Sequence, residues 1–452
     1  MLWGLPTPNH ERSVLNTMKN FKKSLMALTL SAVVLLAACA DRSVQNQNPA
    51  PATQPPQQAA VGQAAPTPAI PSSPVGESAA HAPDEDLAGI SFIFSQQTTG
   101  VDDGVERLVN LMNQNGQPFF QTAAAPNGLF GSDDVIILKI NAQWDERGGT
   151  NTDLIRGVVR ALLDHPDGFT GEIIVADNGQ AQFGSAGTGG SLSWANNNAV
   201  DTSQSVMSVV SDFQAAGYNV TGSLWDNFTR VRVSEFSDGD YTDGFVVEDF
   251  IRSTGLEITY PKFTTEFGTH VSFREGIWDS AAGSYDSERL KIINMPVLKA
   301  HGWFQVTGAV KNYMGVPSDF LTRGGGGTGR AHNSTGVGGM GTQMAHTRMP
   351  TLNIMDMIWI GTERGPSNPF YRATNTNLVA ASTDAVALDY WTTRNVLIPA
   401  AQQRPGARPA QMDPAGDYPG TFGHWLRLSM YEIIAAGYHA TMSPEYMRVF
   451  GW

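Results

Sequence analysis

The chain has 452 residues, 41% hydrophobic and 16% charged, which is enough apolar side chain for a sizeable folded core. Its formal net charge of -13, from 29 Lys and Arg against 42 Asp and Glu, argues against nucleic acid as a partner, because neutralising phosphates takes clustered cations. The single cysteine, Cys39, excludes an intrachain disulfide, a four-cysteine zinc site and an iron–sulfur cluster bound by this chain's own cysteines.

Cys39 closes what reads as a leader. Met18-Lys-Asn-Phe-Lys-Lys is a basic n-region, and residues 25–38 form a short apolar run ending in small residues. That run is roughly 14 residues, short of the ~20 a membrane-spanning helix takes. Leu36-Ala37-Ala38-Cys39 resembles the bacterial lipobox, and the resemblance implies cleavage before Cys39 and diacylglycerol on its thiol. Residues 1–39 then comprise an N-terminal extension and a lipoprotein signal peptide starting at Met18. Ala40, where an inner-membrane retention signal has Asp, directs the expectation to the periplasmic side of the outer membrane: a lipid-anchored protein of the cell envelope. Residues 40–86 are rich in Pro, Ala and Gln, cannot bury enough apolar surface to offset ordering entropy, and read as a tether. Its root-mean-square span is about 35–40 Å.

The folded part, residues 87–452, reads as an α/β domain with a mainly parallel, Rossmann-like sheet, helices on both faces and a less regular second lobe. After a strand-like start at 89–94, residues 104–113 repeat apolar side chains at helical spacing. Residues 134–141 are a nearly continuous apolar, β-branched run of the kind a doubly covered parallel strand needs. Asn151 or Thr152 is placed to cap a helix through Leu163, and 172–177 is the next buried strand. Such a strand–helix–strand unit implies a parallel pair. A helix is expected over 202–216 and a strand from Tyr218. Residues 221–287, with short alternating pieces such as 229–233, read as an inserted lobe.

Ligands of parallel sheets collect beyond the carboxyl ends of the strands. Lys139, Asn141, Asp177 and Asn178 fall there. Residues 289–296 form another strand ended by Pro296, which is expected to deliver Asn294, Lys299 and His301 to an edge. The small residues after Gly302 suggest a helix N-terminus that favours an anion, with Lys311 and Asn312 just inside it. Desolvation and like charge would lower the pKa of a strand-end lysine beside a second lysine, which suits it to proton transfer or nucleophilic attack. Charged, the same pair clamps a carboxylate or phosphate. His301, two residues beyond Lys299, is placed to shuttle a proton. The competing structural reading pairs Lys299 and Lys311 with Asp177 or Asp384 in a polar network that fixes the fold. The glycine-dense segments 323–330 and 336–341 lack a nucleotide-loop ending and suggest a hinged lid. His332 and His346, in or beside it, are weak candidates for a metal site. Residues 354–360 and 378–381 read as strands. Thr383 or Asp384 is placed to cap the next helix, and Asp389 to face the same cleft.

The stretch Met295-Pro-Val-Leu-Lys-Ala-His followed by Val306-Thr-Gly-Ala-Val-Lys-Asn resembles the signature of domain of unknown function family 362, a Pro-x-Leu-Lys-x-His step and then Thr-Gly-x-x-Lys-Asn. Lys139-x-Asn141 is similar to that family's Lys-Pro-Asn, with Ile140 in place of proline. Asp177 matches an acidic strand end. Residues 381–389 are similar to its Ser-Thr-Asp-Pro-Val-Ala-x-Asp, with Ala385 in place of proline. Many relatives carry a ferredoxin-like cysteine module; this chain has none, so a redox role is not carried over. The site read from residues and resemblance together comprises Lys299, His301, Lys311 and Asp177 as reacting groups. Lys139, Asn141, Asn178, Asn294, Asn312 and Asp384 are read as binding groups for an anionic small molecule. The expected function is an enzyme working by proton transfer or, alternatively, a non-catalytic solute-binding or envelope-interaction protein.

Overall fold

The computed structural model describes residues 89–452 apart from 102, 146, 180–189, 196, 198, 199, 238, 323–330 and 364–372. The segments read as leader and tether, Cys39 and the glycine run 323–330 lie outside the described residues. The main sheet opens with β1 (Ser91–Gln97), β2 (Val135–Lys139), β3 (Glu172–Asp177) and β4 (Val220–Leu224). A second, six-stranded sheet follows, made of β5 (Arg232–Val233), β6 (Gly244–Ile251), β7 (Leu256–Thr264), β8 (His270–Ser272), β9 (Gly276–Asp279) and β10 (Ser284–Asp286). The chain then returns to the main sheet with β11 (Leu290–Asn294), β12 (Val297–His301), β13 (Gln305–Thr307), β14 (Leu352–Gly361), β15 (Thr374–Ser382) and β16 (Met447–Gly451).

In space the main sheet runs β16-β1-β15-β14-β11-β2-β3-β4. Strands β14, β11, β2, β3 and β4 are mutually parallel, while β15 is antiparallel to both of its neighbours, so the sheet is mostly parallel. The apolar runs explain this centre. On β2 and β3 every residue is buried, as a strand covered on both faces requires. Ile137 lies opposite Ile174 and Ile292 in register, and these side chains join one core cluster. Ile136, Leu138, Ile173 and Val175 face the other cluster. Three helices supply that second cluster: α1 (Asp103–Gln114), α2 (Thr152–Leu163) and α3 (Val206–Ala215). On the opposite face the core is shared with the second sheet, through Phe245, Ile258 and Phe263, and with later helices.

Those later helices are α4 (Ala309–Asn312), α5 (Gly339–His346), α6 (Ala385–Thr392) and α7 (Phe422–Ala435). Among the described residues no helix is long and apolar enough to cross a membrane.

Several boundaries differ from expectation. Helix α3 begins at Val206, not Thr202, because Ser205 and Ser208 form a reciprocal capping box there. The alternating piece 229–233 is reduced to the two residues of β5, paired in parallel with β6. Asn294 does not share a strand with Lys299 and His301. Pro296 ends β11, and β12 then runs alongside a later part of β14. The segment 336–341 is not a lid: it lies in a 3-10 turn and in α5, which packs on α7. A Cβ on Gly341 would stand 2.2 Å from the Ser429 carbonyl, so its glycine permits close helix approach rather than hinge motion.

Candidate functional site

Three parallel strands end side by side. Asn294 of β11 pairs with Lys139 of β2, which pairs with Ala176 of β3, one residue before Asp177. The polar groups predicted from the strand ends meet here, above the sheet. Lys139 Nζ lies 2.7 Å from Asp177 Oδ1 and donates to the carbonyls of Ile140 (2.9 Å) and Asn312 (2.6 Å). Asp177 Oδ2 accepts the Ala142 N–H at 2.7 Å. Burial pushes the lysine pKa down and the aspartate up, so the pair is net neutral whichever partner holds the proton. Gly315 closes over it, since a Cβ there would be 2.1 Å from Asp177 Oδ1 and 2.5 Å from Lys139 Nζ. The adjoining turn is held by Asn178, whose N–H and side-chain amide donate to the carbonyls of Gly315 and Pro317.

Beside the pair runs a chain of amides with one donor-to-acceptor sense. Asn141 Nδ2 donates to Asn312 Oδ1 (3.4 Å), Asn312 Nδ2 to Asn294 Oδ1 (2.8 Å), Asn294 Nδ2 to Asn353 Oδ1 (2.9 Å) and Asn353 Nδ2 to the Ser382 carbonyl (3.1 Å). Along this row, among the described residues, only Asn141 Oδ1 at the head is left without a partner.

The second layer holds the other two lysines. Lys299 Nζ donates to the Gly148 carbonyl. Its pKa is lowered to about 7, chiefly by burial and then by Lys311, against the pull of Asp177 and Asp356. Lys311, the third residue of α4, is also brought down to about 7 by burial and by Lys139. Among the described residues it has no hydrogen-bond acceptor and no carboxylate partner; the Phe304 ring lies 5.7 Å from its Nζ. Asp356, buried in β14, is raised to about 6 by burial and accepts the N–H groups of Asn151 and Ile358.

His301 takes a more limited part than expected. Its Nδ1 accepts the N–H groups of Trp303 and Phe304, both at 3.1 Å, which fixes the neutral ring with its proton on Nε2. Burial, then Lys311 and His332, push its pKa far down, so it is a hydrogen-bond donor rather than a base. His332 stands 5.6 Å from it, ring to ring, and is lowered to about 3 by burial and Lys311. His346 ends α5 instead. Among the described residues no three His, Cys, Asp or Glu side chains are close enough to hold a metal ion.

Two acids predicted near the cleft serve as helix caps. Asp384 caps α6 through the N–H groups of Val386 and Ala387, and its other oxygen accepts Ser91 Oγ and the Thr441 N–H. Its hydrogen bonds are thus spent away from the lysines. Asp389 accepts the N–H groups of Ala309 and Val310, so a carboxylate of the chain already occupies the anion position at the start of α4. Burial raises it to about 7. Lys139, Asn141, Asp177, Asn178, Asn294, Lys299, His301, Lys311 and Asn312 therefore come together, but nearly below the surface, each between 0% and 7% exposed. Sequence reading missed Asn353, Asp356 and Gly315. The first two had a signal, as the polar interruptions of an otherwise apolar run, residues 352–360.

A mostly parallel α/β sheet with a lysine-rich cluster at its strand ends is the class of protein described so far. Within it, residues 286–394 match the family model Domain of unknown function (DUF362), in agreement with the resemblance read from the Lys-x-His and Lys-Asn steps. The match includes Asn294, Lys299, His301, Lys311, Asn312 and Asp384, but not Lys139, Asn141 or Asp177. No curated protein and no solved structure matches the chain.

Proposed function

We propose that the cluster binds the anionic group of a small molecule and transfers a proton to or from it, with Lys311 and Lys299 in the working roles. One observation carries this reading. Lys139 is matched by Asp177 and Lys299 is held by the Gly148 carbonyl, whereas the ammonium of Lys311 is buried beside them without a counter-charge among the described residues. An uncompensated buried cation is costly unless an anion joins it. Two amines with pKa near 7 also change charge within the working pH range, as a proton-transfer group needs. His301 supplies a hydrogen bond to the bound anion through its Nε2–H, and Lys139–Asp177 fixes the floor.

The test is calorimetric titration and thermal shift with inorganic phosphate and small carboxylates, on the wild type and on Lys299→Ala and Lys311→Ala. Binding in the wild type, lost in both variants, supports the reading. Variants that bind as before sink it. A second reading, binding without chemistry, is favoured by the depth of the site; a ligand bound by the wild type and recovered unchanged would select it.

For the cell, we propose a lipoprotein anchored through Cys39 on the periplasmic side of the outer membrane. Support lies in the basic, apolar and lipobox segments before Cys39 and in the polar tether after it. Incorporation of labelled palmitate that Cys39→Ser abolishes is the expected result.

A further inference from the structure

The described part of the chain starts at Gly89, two residues before β1. Both β1 and β14 are antiparallel to β15, so Ser91 marks the amino-terminal end of the parallel strands, opposite to the lysines. Two later segments lie beside it. His439 Nε2 is 3.0 Å from Ser91 Oγ, and Met447, the first residue of β16, pairs with Ser91 in register. Around these contacts stand large side chains that the core does not use. Tyr431 and Ile434, three residues apart on α7, share one face of that helix. Gly437, at φ +90, then turns the chain so that the Tyr438 N–H reaches back to the Ile433 carbonyl, which sets Tyr438 against the end of the same helix. Tyr446 directly precedes Met447. All four side chains are between 45% and 54% exposed. From Leu428 to Met447 there is no Lys or Arg, and both carboxylates are engaged: Glu432 accepts the hydroxyls of Ser253 and Thr342, and Glu445 that of Ser443.

On the reading that Cys39 carries a lipid anchor, we infer that this patch is a membrane-contact surface. Tyr431, Ile434, Tyr438 and Tyr446 seat in the interfacial layer of the bilayer that holds the lipid, and the lysine cluster faces away from it. Tyrosine suits that layer because its ring is apolar and its hydroxyl stays wet. The position of the patch favours a bilayer over other occupants. The segment read as a tether joins the fold here, so the lipid reaches this end without passing around the domain. With a root-mean-square span of about 35–40 Å, that tether keeps the patch near the bilayer at an effective concentration of millimolar order, at which a few rings suffice as the second contact. The net charge of -13 and the absence of Lys and Arg from 428–447 make the contact apolar rather than electrostatic. The surface it fits is therefore zwitterionic, and salt does not loosen it.

The test uses the full lipidated chain in vesicles of phosphatidylethanolamine and phosphatidylcholine, isolated by flotation. With Cys39 lipidated, an introduced cysteine is the only free thiol. A fluorophore is placed at Ala435→Cys, beside Ile434, or at Trp303→Cys, an exposed position at the lysine end. Nitroxide-bearing phospholipid should quench the label at 435 severalfold more than the label at 303, and equally well at about 1 M salt. Tyr431→Ser, Ile434→Ser and Tyr438→Ser combined should remove the difference without releasing the protein from the vesicles. Equal quenching at the two positions, or a difference that the serines leave intact or that salt removes, overturns the inference and leaves the anchor standing. Self-quenching between copies labelled at 435 also overturns it, by giving the patch to a second copy of the chain. Protein that fails to float with the vesicles rejects the anchor and the contact together.

Discussion

The two sheets each bury charged side chains, and they handle them differently. In and around the second sheet each charge is met, by a counter-charge or by hydroxyl groups. Lys262, wholly buried, has Asp240 at 3.6 Å and the Phe236 ring at 4.4 Å. Glu235 accepts the hydroxyls of Tyr260, Ser272 and Tyr285. Where this sheet meets the main one, Glu172 accepts those of Thr221, Thr265 and Thr269. At the strand ends of the main sheet, three lysines gather around one close carboxylate, and Lys311 is left over. Matched charge of the first kind holds a fold together. Unmatched charge costs stability and is retained where something else is gained from it.

That contrast can be broken by substitution. The largest effect is expected at the one matched pair of the cluster. Asp177→Ala leaves Lys139 buried without a counter-charge and should lower unfolding free energy by about 3–5 kcal/mol in urea denaturation. Gly315→Ala forces a methyl group into the same pair and should cost about 1–3 kcal/mol in the same measurement. Lys311→Met should do the opposite. It removes an unpaired buried amine, so the melting temperature rises by about 2–4 °C or more while phosphate binding disappears. A fall in melting temperature would place Lys311 with the structural lysines. Lys262→Met is the control from the other sheet: loss of about 1 kcal/mol, with anion binding intact.

The pH dependence sharpens the same point. Unfolded, Lys299 and Lys311 keep their protons to about 10.5; folded, they release them near 7. The unfolded chain therefore binds more protons between these values, and stability should climb as pH rises from 7 toward 10. Bound phosphate favours the charged amines and should flatten that climb, which melting curves across the range would show.

Much of the main sheet was legible because its strands are buried on both faces and advertise it: Val135 to Leu138, Ile173 to Ala176 and Leu352 to Ile360 are apolar almost without interruption. Helix starts were legible where a cap residue stood ready, as at Asn151 and Asp384. The second sheet was not, because four of its six strands run only two to four residues and draw their order from packing against Trp225, Phe273 and Tyr313 rather than from their own pattern. In the site, Lys139, Lys299 and Lys311 were found from their position and from the family-like step. Asp356 and Gly315 beside them were missed, because Asp356 meets Asn151 across 205 residues and Gly315 matters only through what lies above it. The role given to His301 changed for a local reason: two backbone N–H groups of its own turn already occupy the nitrogen a base would use.

The row of asparagines carries a consequence of its own. Its last link ends on the Ser382 carbonyl, which can only accept, and the carbonyls of Ala309, Lys139 and Ile140 turn the amides of Asn294 and Asn312 the same way, so all four amides share one polarity. The head of the row, Asn141, then has its oxygen rather than its nitrogen left over. If the cluster binds as proposed, a guest would meet amines able to give hydrogen bonds and one amide able to take one, so a molecule with a hydroxyl or a retained proton beside its negative group would suit both.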